Sequence, residues 1–274
     1  MGMDNVRYED EVKHNDLDFD GPIIAYCPDW RQDKEGHPIY IKFIYDNFRR
    51  LLEQNGCKMH LLRFEDKVDD IKDKIHGWII PGGRDIDPKF YGQENTKSNV
   101  EPEDAAKRWN FCRQFLDNAN PKMPILGICY GFQVLNCLFG GDMIQDLPNG
   151  QKNHYRKRIM KLDPESKLAQ AMQGHTLIGN CYHHQGIGKI PECLKVTAYD
   201  EKDGYPHALE YKNDDRCIMA VLWHPESTFQ DTRNEVLDQA NQALFDYFFG
   251  LCRTYMATLP SGQKQNVPSS KQLL

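Results

Sequence analysis

In residues 124–141, PILGICYGFQVLNCLFGG, one cysteine, Cys129, stands between two glycines in Gly127-Ile-Cys129-Tyr-Gly131. Before it, the apolar run PILGI reads as a buried strand. After it, Phe132, Leu135 and Phe139 recur at helical spacing. A nucleophile on a sharp strand-to-helix turn is the thiol counterpart of the G-x-S-x-G elbow. Such a turn needs glycines because its backbone leaves little room for a Cβ on either side. It also aims the first helical N–H groups at the sulfur, which favours a thiolate and a developing oxyanion.

A thiol nucleophile needs a base, and the base needs an orienter. Residues 218–226, IMAVLWHPE, end an apolar run in His224-Pro225-Glu226. In an extended segment residues two apart point the same way, so imidazole and carboxylate share a face. Pro225 biases His224 toward the extended region. A cysteine near a core strand is more often packed and inert, and a lone His-x-Glu is more often structural. Both at the ends of apolar strands in one α/β chain tip the balance toward chemistry.

The chain has 274 residues, 27% of them charged, and a formal net charge of −6. That length supports one large domain with a full core. The mild acidity offers no field for nucleic acid or an anionic membrane. No run approaches transmembrane length. The polar, acidic N-terminus does not read as a signal peptide, and Val6 breaks the myristoylation pattern that Gly2 would begin. Nine cysteines without a C-x-x-C pair argue against a disulfide framework and for a reducing cytoplasm. No cofactor is expected. No metal is expected either: His183 and His184 lack further ligands at workable spacing, and strand neighbours face opposite ways. Asp16-x-Asp18-x-Asp20-Gly21 mimics a calcium loop, but its twelfth position is Cys27.

The elements that must position these residues alternate. Strands are expected over 22–27, 57–62 and 77–80, the last running into the Pro81-Gly82-Gly83 turn. Helices are expected over 41–55, ended by Gly56, over 64–76 and over 103–119, with a polar loop over 85–100. This predicts an α/β fold, a flavodoxin-like doubly wound and mostly parallel sheet. After Gly141 short β-rich pieces appear over 194–199, 207–211 and 217–223, a small β-rich addition in the C-terminal half. A helix over 233–252 follows. The expected organisation is a flexible acidic arm over 1–20, one folded domain over 21–252 and a disordered tail over 253–274.

Four blocks stand in one order: Pro81-Gly82-Gly83, Gly127-x-Cys129-x-Gly131-x-Gln133, His183-His184-Gln185 and His224-Pro225-Glu226. Together they resemble the class I glutamine amidotransferase-like superfamily. Within it the chain is similar to the gamma-glutamyl-gamma-aminobutyrate hydrolase branch, through residues 81–92 and 180–187 as well. The resemblance implies a Cys129–His224–Glu226 triad. It implies an oxyanion hole from the Tyr130 N–H and a glycine N–H of Gly82 or Gly83. It implies that Gln133, His183, His184 and Gln185 help hold a γ-glutamyl group. The implied activity is hydrolysis of the γ-glutamyl amide of a small substrate, releasing glutamate and an amine. The alternative is a glutaminase subunit feeding ammonia to a separate synthetase. A homodimer is left open. Two positions depart from the branch: Tyr130 stands where arginine is common, and Cys181 where serine is common. A Tyr130 side chain beside the leaving group would weaken the demand for an acidic amine and favour an aromatic or cationic one.

Overall fold

The computed structural model describes residues 5–7, 19–29, 31–32, 38–63, 66–148, 155–230 and 235–259. The strands are β1 (Asn5–Arg7), β2 (Ile23–Tyr26), β3 (Arg31–Gln32), β4 (Pro38–Ile41), β5 (Lys58–Leu61), β6 (Gly77–Ile80), β7 (Ile125–Ile128), β8 (Met143–Ile144), β9 (Tyr155–Leu162), β10 (Thr176–Tyr182), β11 (Gly186–Ile187), β12 (Leu194–Asp200), β13 (Pro206–Tyr211) and β14 (Ile218–Val221). The helices are α1 (Lys42–Gln54), α2 (Val68–Ile71), α3 (Pro102–Asn118), α4 (Tyr130–Leu138), α5 (Lys167–Met172) and α6 (Glu235–Thr258).

Nine strands form one sheet in the order β10-β9-β12-β13-β14-β7-β6-β2-β5. From β14 to β5 every pairing is parallel. From β10 to β14 every pairing is antiparallel. The doubly wound α/β architecture expected from the sequence is therefore present, with the β-rich addition as an antiparallel wing of the same sheet.

The parallel strands β2, β6, β7 and β14 are buried at every position, as strands covered on both faces must be. Alternate residues serve opposite cores. Ile23, Ala25, Trp78, Ile80 and Ile125 meet Phe115 of α3 and Phe132 of α4 on one side. Ile24, Tyr26, Ile79, Leu126 and Ile128 meet Phe48 of α1 and Phe245 and Phe248 of α6 on the other. Gly56, at φ +63, closes α1 as its position in the sequence predicts.

Four elements differ from expectation. The helix expected over 64–76 is only α2 and a 3-10 turn over Lys72–Lys74, while Phe64 and Glu65 lie outside the described residues. The polar loop contains a 3-10 turn, Pro88–Tyr91, capped by Asp87 accepting from the Lys89 N–H at 3.2 Å. Within the stretch read as an arm, β1 pairs antiparallel with β4; most of that stretch lies outside the described residues. The last helix continues past Cys252 to Thr258, with Tyr255 buried, because its apolar stripe still has a core to cover. Residues from 260 onward lie outside the described residues. No helix among the described residues is long and apolar enough to cross a membrane.

Candidate active site

Cys129 sits between the end of β7 and the start of α4, at φ +52 and ψ −100. A residue with a Cβ is strained in that backbone. The flanking glycines are there for space. A Cβ on Gly127 would lie 2.7 Å from the Gly131 carbonyl, and one on Gly131 would overlap the Ile80 carbonyl of β6. The neighbouring strand holds the elbow in turn, since the Cys129 N–H donates to Val221 of β14 at 2.8 Å. The Gln133 N–H then closes the first helical turn onto the Cys129 carbonyl at 3.1 Å.

His224 follows β14, and its N–H donates to the Asn180 carbonyl of β10 at 2.8 Å. Its Nδ1 stands 2.7 Å from Glu226 Oε1. A carboxylate accepts, so Nδ1 carries the proton and Nε2 remains for the thiol. Glu226 lies in a 3-10 turn, Pro225–Gln230, rather than in extended chain. The turn brings the carboxylate back under the ring, so the expected pairing forms by a different backbone route. Burial pulls the imidazole down, but the Glu226 charge and then the nearby Cys129 lift it well above its ordinary range. The Glu226 carboxylate thus steadies a protonated His224 ring.

Gly82 closes the third side. A Cβ there would lie 2.7 Å from His224 Cε1 and 3.6 Å from Cys129 Cβ. Among the described residues no hydrogen bond uses the N–H groups of Gly82, Gly83 or Tyr130. The Tyr130 N–H is an orphan donor at the first turn of α4.

Arg108 of α3 organises this corner, and sequence reasoning missed it. Its Nη2 donates to the carbonyls of Pro81 at 2.9 Å, Cys27 at 3.2 Å and Gly82 at 3.4 Å. Its guanidinium stacks on the Tyr130 ring, 3.7 Å from the centroid. A side chain at Gly83 would overlap Arg108 Nη1. The available signal was an arginine on the apolar stripe that continues through Phe111, Cys112 and Phe115.

Tyr130 does not lie open beside a leaving group. Its ring is buried and its face is covered by Arg108, so it cannot offer that face to an amine. The expected preference for cationic or aromatic amines loses its physical basis.

The other expected contacts are spread. Gln133 is buried one helical turn past Cys129. His183 is buried, with Nδ1 3.0 Å from the Gln185 carbonyl. His184 points the other way, 3.0 Å from Asp85 and 3.3 Å from Asp146; the Asp85 hydrogen bond raises its imidazole. Gln185 donates to Ser98 at 2.8 Å and to the Gln145 carbonyl at 3.1 Å. His184 and Gln185 thus pin the loop around residues 85–98 to the segment after β8.

A cysteine elbow on a doubly wound sheet, faced by a His–Glu pair and a glycine turn, defines a class I glutamine amidotransferase-like protein. The chain belongs to the Peptidase C26 family, which it matches over residues 22–226. It is 36% identical over 177 residues to a Mycobacterium tuberculosis protein named "Putative glutamine amidotransferase Rv2859c", covering 61% of this chain and 56% of that relative. It is 27% identical over 168 residues to the glutamine-hydrolyzing GMP synthase of Anaplasma marginale, over 60% of this chain and 28% of that one. The chain thus spans little more than half of the first relative and less of the second. The crystal structure of a "putative gmp synthase subunit a protein" from Thermoplasma acidophilum shares the fold, with a TM-score of 0.62, 16% identity, and coverage of 88% of this chain and 98% of that one.

Proposed function

We propose that this protein is a cysteine-dependent hydrolase of the γ-glutamyl amide bond of a small γ-glutamyl compound, releasing glutamate and an amine. The observation that carries the reading is the hydrogen-bonded His224–Glu226 pair set beside Cys129 at the strained elbow, with Gly82 against both. The Cys129 thiolate adds to the amide carbonyl. The N–H groups of Tyr130 and of Gly82 or Gly83 stabilise the oxyanion. His224 gives its Nε2 proton to the amine nitrogen as the C–N bond breaks, leaving a γ-glutamyl thioester. Water then adds to the thioester with its proton passing to His224, the C–S bond breaks, and glutamate leaves. Glu226 holds the imidazole and balances its charge throughout. All nine cysteines are free, which suits a reducing cytoplasm.

A second reading has one observation in its favour. Relatives of this chain carry amidotransferase names, and one is a glutamine-hydrolyzing synthase. On that reading the chain is a glutaminase that hands ammonia to a synthetase partner. Glutamate release by the purified chain, from glutamine and from a panel of γ-glutamyl amines, separates the two. Release from a γ-glutamyl amine without any added protein is expected. Release from glutamine alone, and only with a synthetase added, would replace the first reading by the second.

A further inference from the structure

Cys181 and His183 lie two residues apart at the end of β10, so their side chains leave the chain on one side. His207 of β13 reaches the same point from elsewhere in the sheet. All three are buried, and one ligand atom from each lies within 4.8 Å of the others. Cys181 Sγ stands 4.0 Å from His207 Nδ1. The two imidazoles meet edge to face, with centroids 5.2 Å apart. Ligands of a tetrahedral zinc, at its usual Zn–N and Zn–S lengths, are separated by about 3.3–3.7 Å. Small side-chain rotations close the difference.

His183 supports this directly. The carbonyl of Gln185 can only accept, so His183 Nδ1 carries the proton and Nε2 the lone pair. That is the tautomer a metal-bound imidazole needs, and a backbone carbonyl is a usual outer support for it. One sulfur with two imidazoles is a soft set that favours zinc or cobalt over magnesium or calcium.

We propose that Cys181, His183 and His207 form a binding site for a thiophilic divalent cation, zinc foremost, separate from the Cys129–His224–Glu226 line. Binding replaces the Cys181 S–H bond by a sulfur–metal bond and releases that proton to solvent, with no change in oxidation state. Three protein ligands leave a fourth position for water. The site ties the edge strand β10 to β13, with β9 and β12 between them in the sheet. The same strand end holds the base: Asn180 receives the His224 N–H, and the Tyr182 ring lies edge-on to His224 at 5.6 Å. A cation here therefore clips the segment against which His224 rests.

The test uses the full chain, stripped with a chelator and titrated with cobalt(II). One equivalent should produce a thiolate-to-cobalt charge-transfer band and the intense visible bands of a four-coordinate site. Zinc should bleach both. Cys181→Ser and His207→Gln should lose the bands while keeping the wild-type circular dichroism, and Cys129→Ala should keep them. Zinc-edge X-ray absorption on wild-type protein checks this without any variant, with one sulfur and at least two imidazole scatterers expected. The proposal is overturned by a failure to bind one equivalent, or by bands that survive Cys181→Ser or vanish in Cys129→Ala. A zinc shell without sulfur, or with several, overturns it as well.

Discussion

The two halves of the sheet divide the work differently. In the parallel half, β7 and β14 are buried throughout and support Cys129 from below and beside. In the antiparallel wing one face stays open: Ile159, Ile178, Tyr182 and Tyr199 are the exposed large hydrophobics of β9, β10 and β12. The parallel half fixes the Cys129 backbone by a hydrogen bond to β14. The wing supplies the Asn180 carbonyl that receives the His224 N–H and the Tyr182 ring beside it. Changes at the elbow that the parallel half carries should therefore cost rate with little stability, and changes in the wing's own packing the reverse.

The harshest test of this division is Cys129→Ala, which should abolish glutamate release while leaving the thermal transition in place. Substoichiometric iodoacetamide should label Cys129 first, since burial pushes up the thiols of Cys112, Cys137, Cys181, Cys217 and Cys252 and shuts the lowered thiol of Cys27 away from the reagent. Labelling spread evenly over several cysteines would count against an activated nucleophile.

Next in size is the base. His224→Ala should lower kcat at least ~10²-fold. Glu226→Gln should cost less, because the ring remains. Glu226 contributes the larger of the two charge effects that lift His224. The His224 Cε1 proton followed by NMR should therefore titrate lower in Glu226→Gln than in wild type. An unchanged midpoint and full activity would reduce the triad to a dyad.

Arg108→Met comes third. It leaves the Pro81, Cys27 and Gly82 carbonyls without their donor, so kcat should fall about 10–10²-fold with KM nearly unchanged. Arg108→Lys should not rescue it, because a point charge cannot stack on Tyr130 and serve three carbonyls together. Equal losses in kcat and stability for both variants would make Arg108 a packing residue only.

The smallest effect belongs to the wing. Glu210 of β13 accepts from Leu168 at 2.8 Å and Lys167 at 3.2 Å at the start of α5, and burial raises its carboxyl. A carboxyl raised in the native state keeps its proton there longer than in the unfolded chain. Stability should therefore fall as pH rises from the unfolded value through the native one. Glu210→Gln should flatten that slope in Tm, by about 2–4 °C at most, with glutamate release unchanged.

The parallel half was also the legible half. Gly127, Cys129 and Gly131 announce their turn because every contact that requires them is made by the adjoining strand and helix. His224 and Glu226 announce each other by adjacency. The wing was read only in part. In β9, YRKRIMKL puts charge at half its positions, and Arg158 is buried against Asp200 and Asp203 where an apolar residue would have marked the strand. Arg108 reaches the site from the middle of a helix whose pattern promises only core. Cys181 and His207 meet across two intervening strands, a distance in space that no spacing along the chain encodes.

The backbone of Cys129 has a consequence for how such a protein ages over generations. A φ of +52 suits glycine and burdens any residue with a Cβ by about 1–3 kcal/mol. Replacement of Cys129 by glycine is thus a downhill step in backbone strain and, for the proposed hydrolase, a dead end in chemistry. A lineage freed from the need to cleave anything would drift in that direction. Cys129 therefore occupies this turn at a cost in backbone strain.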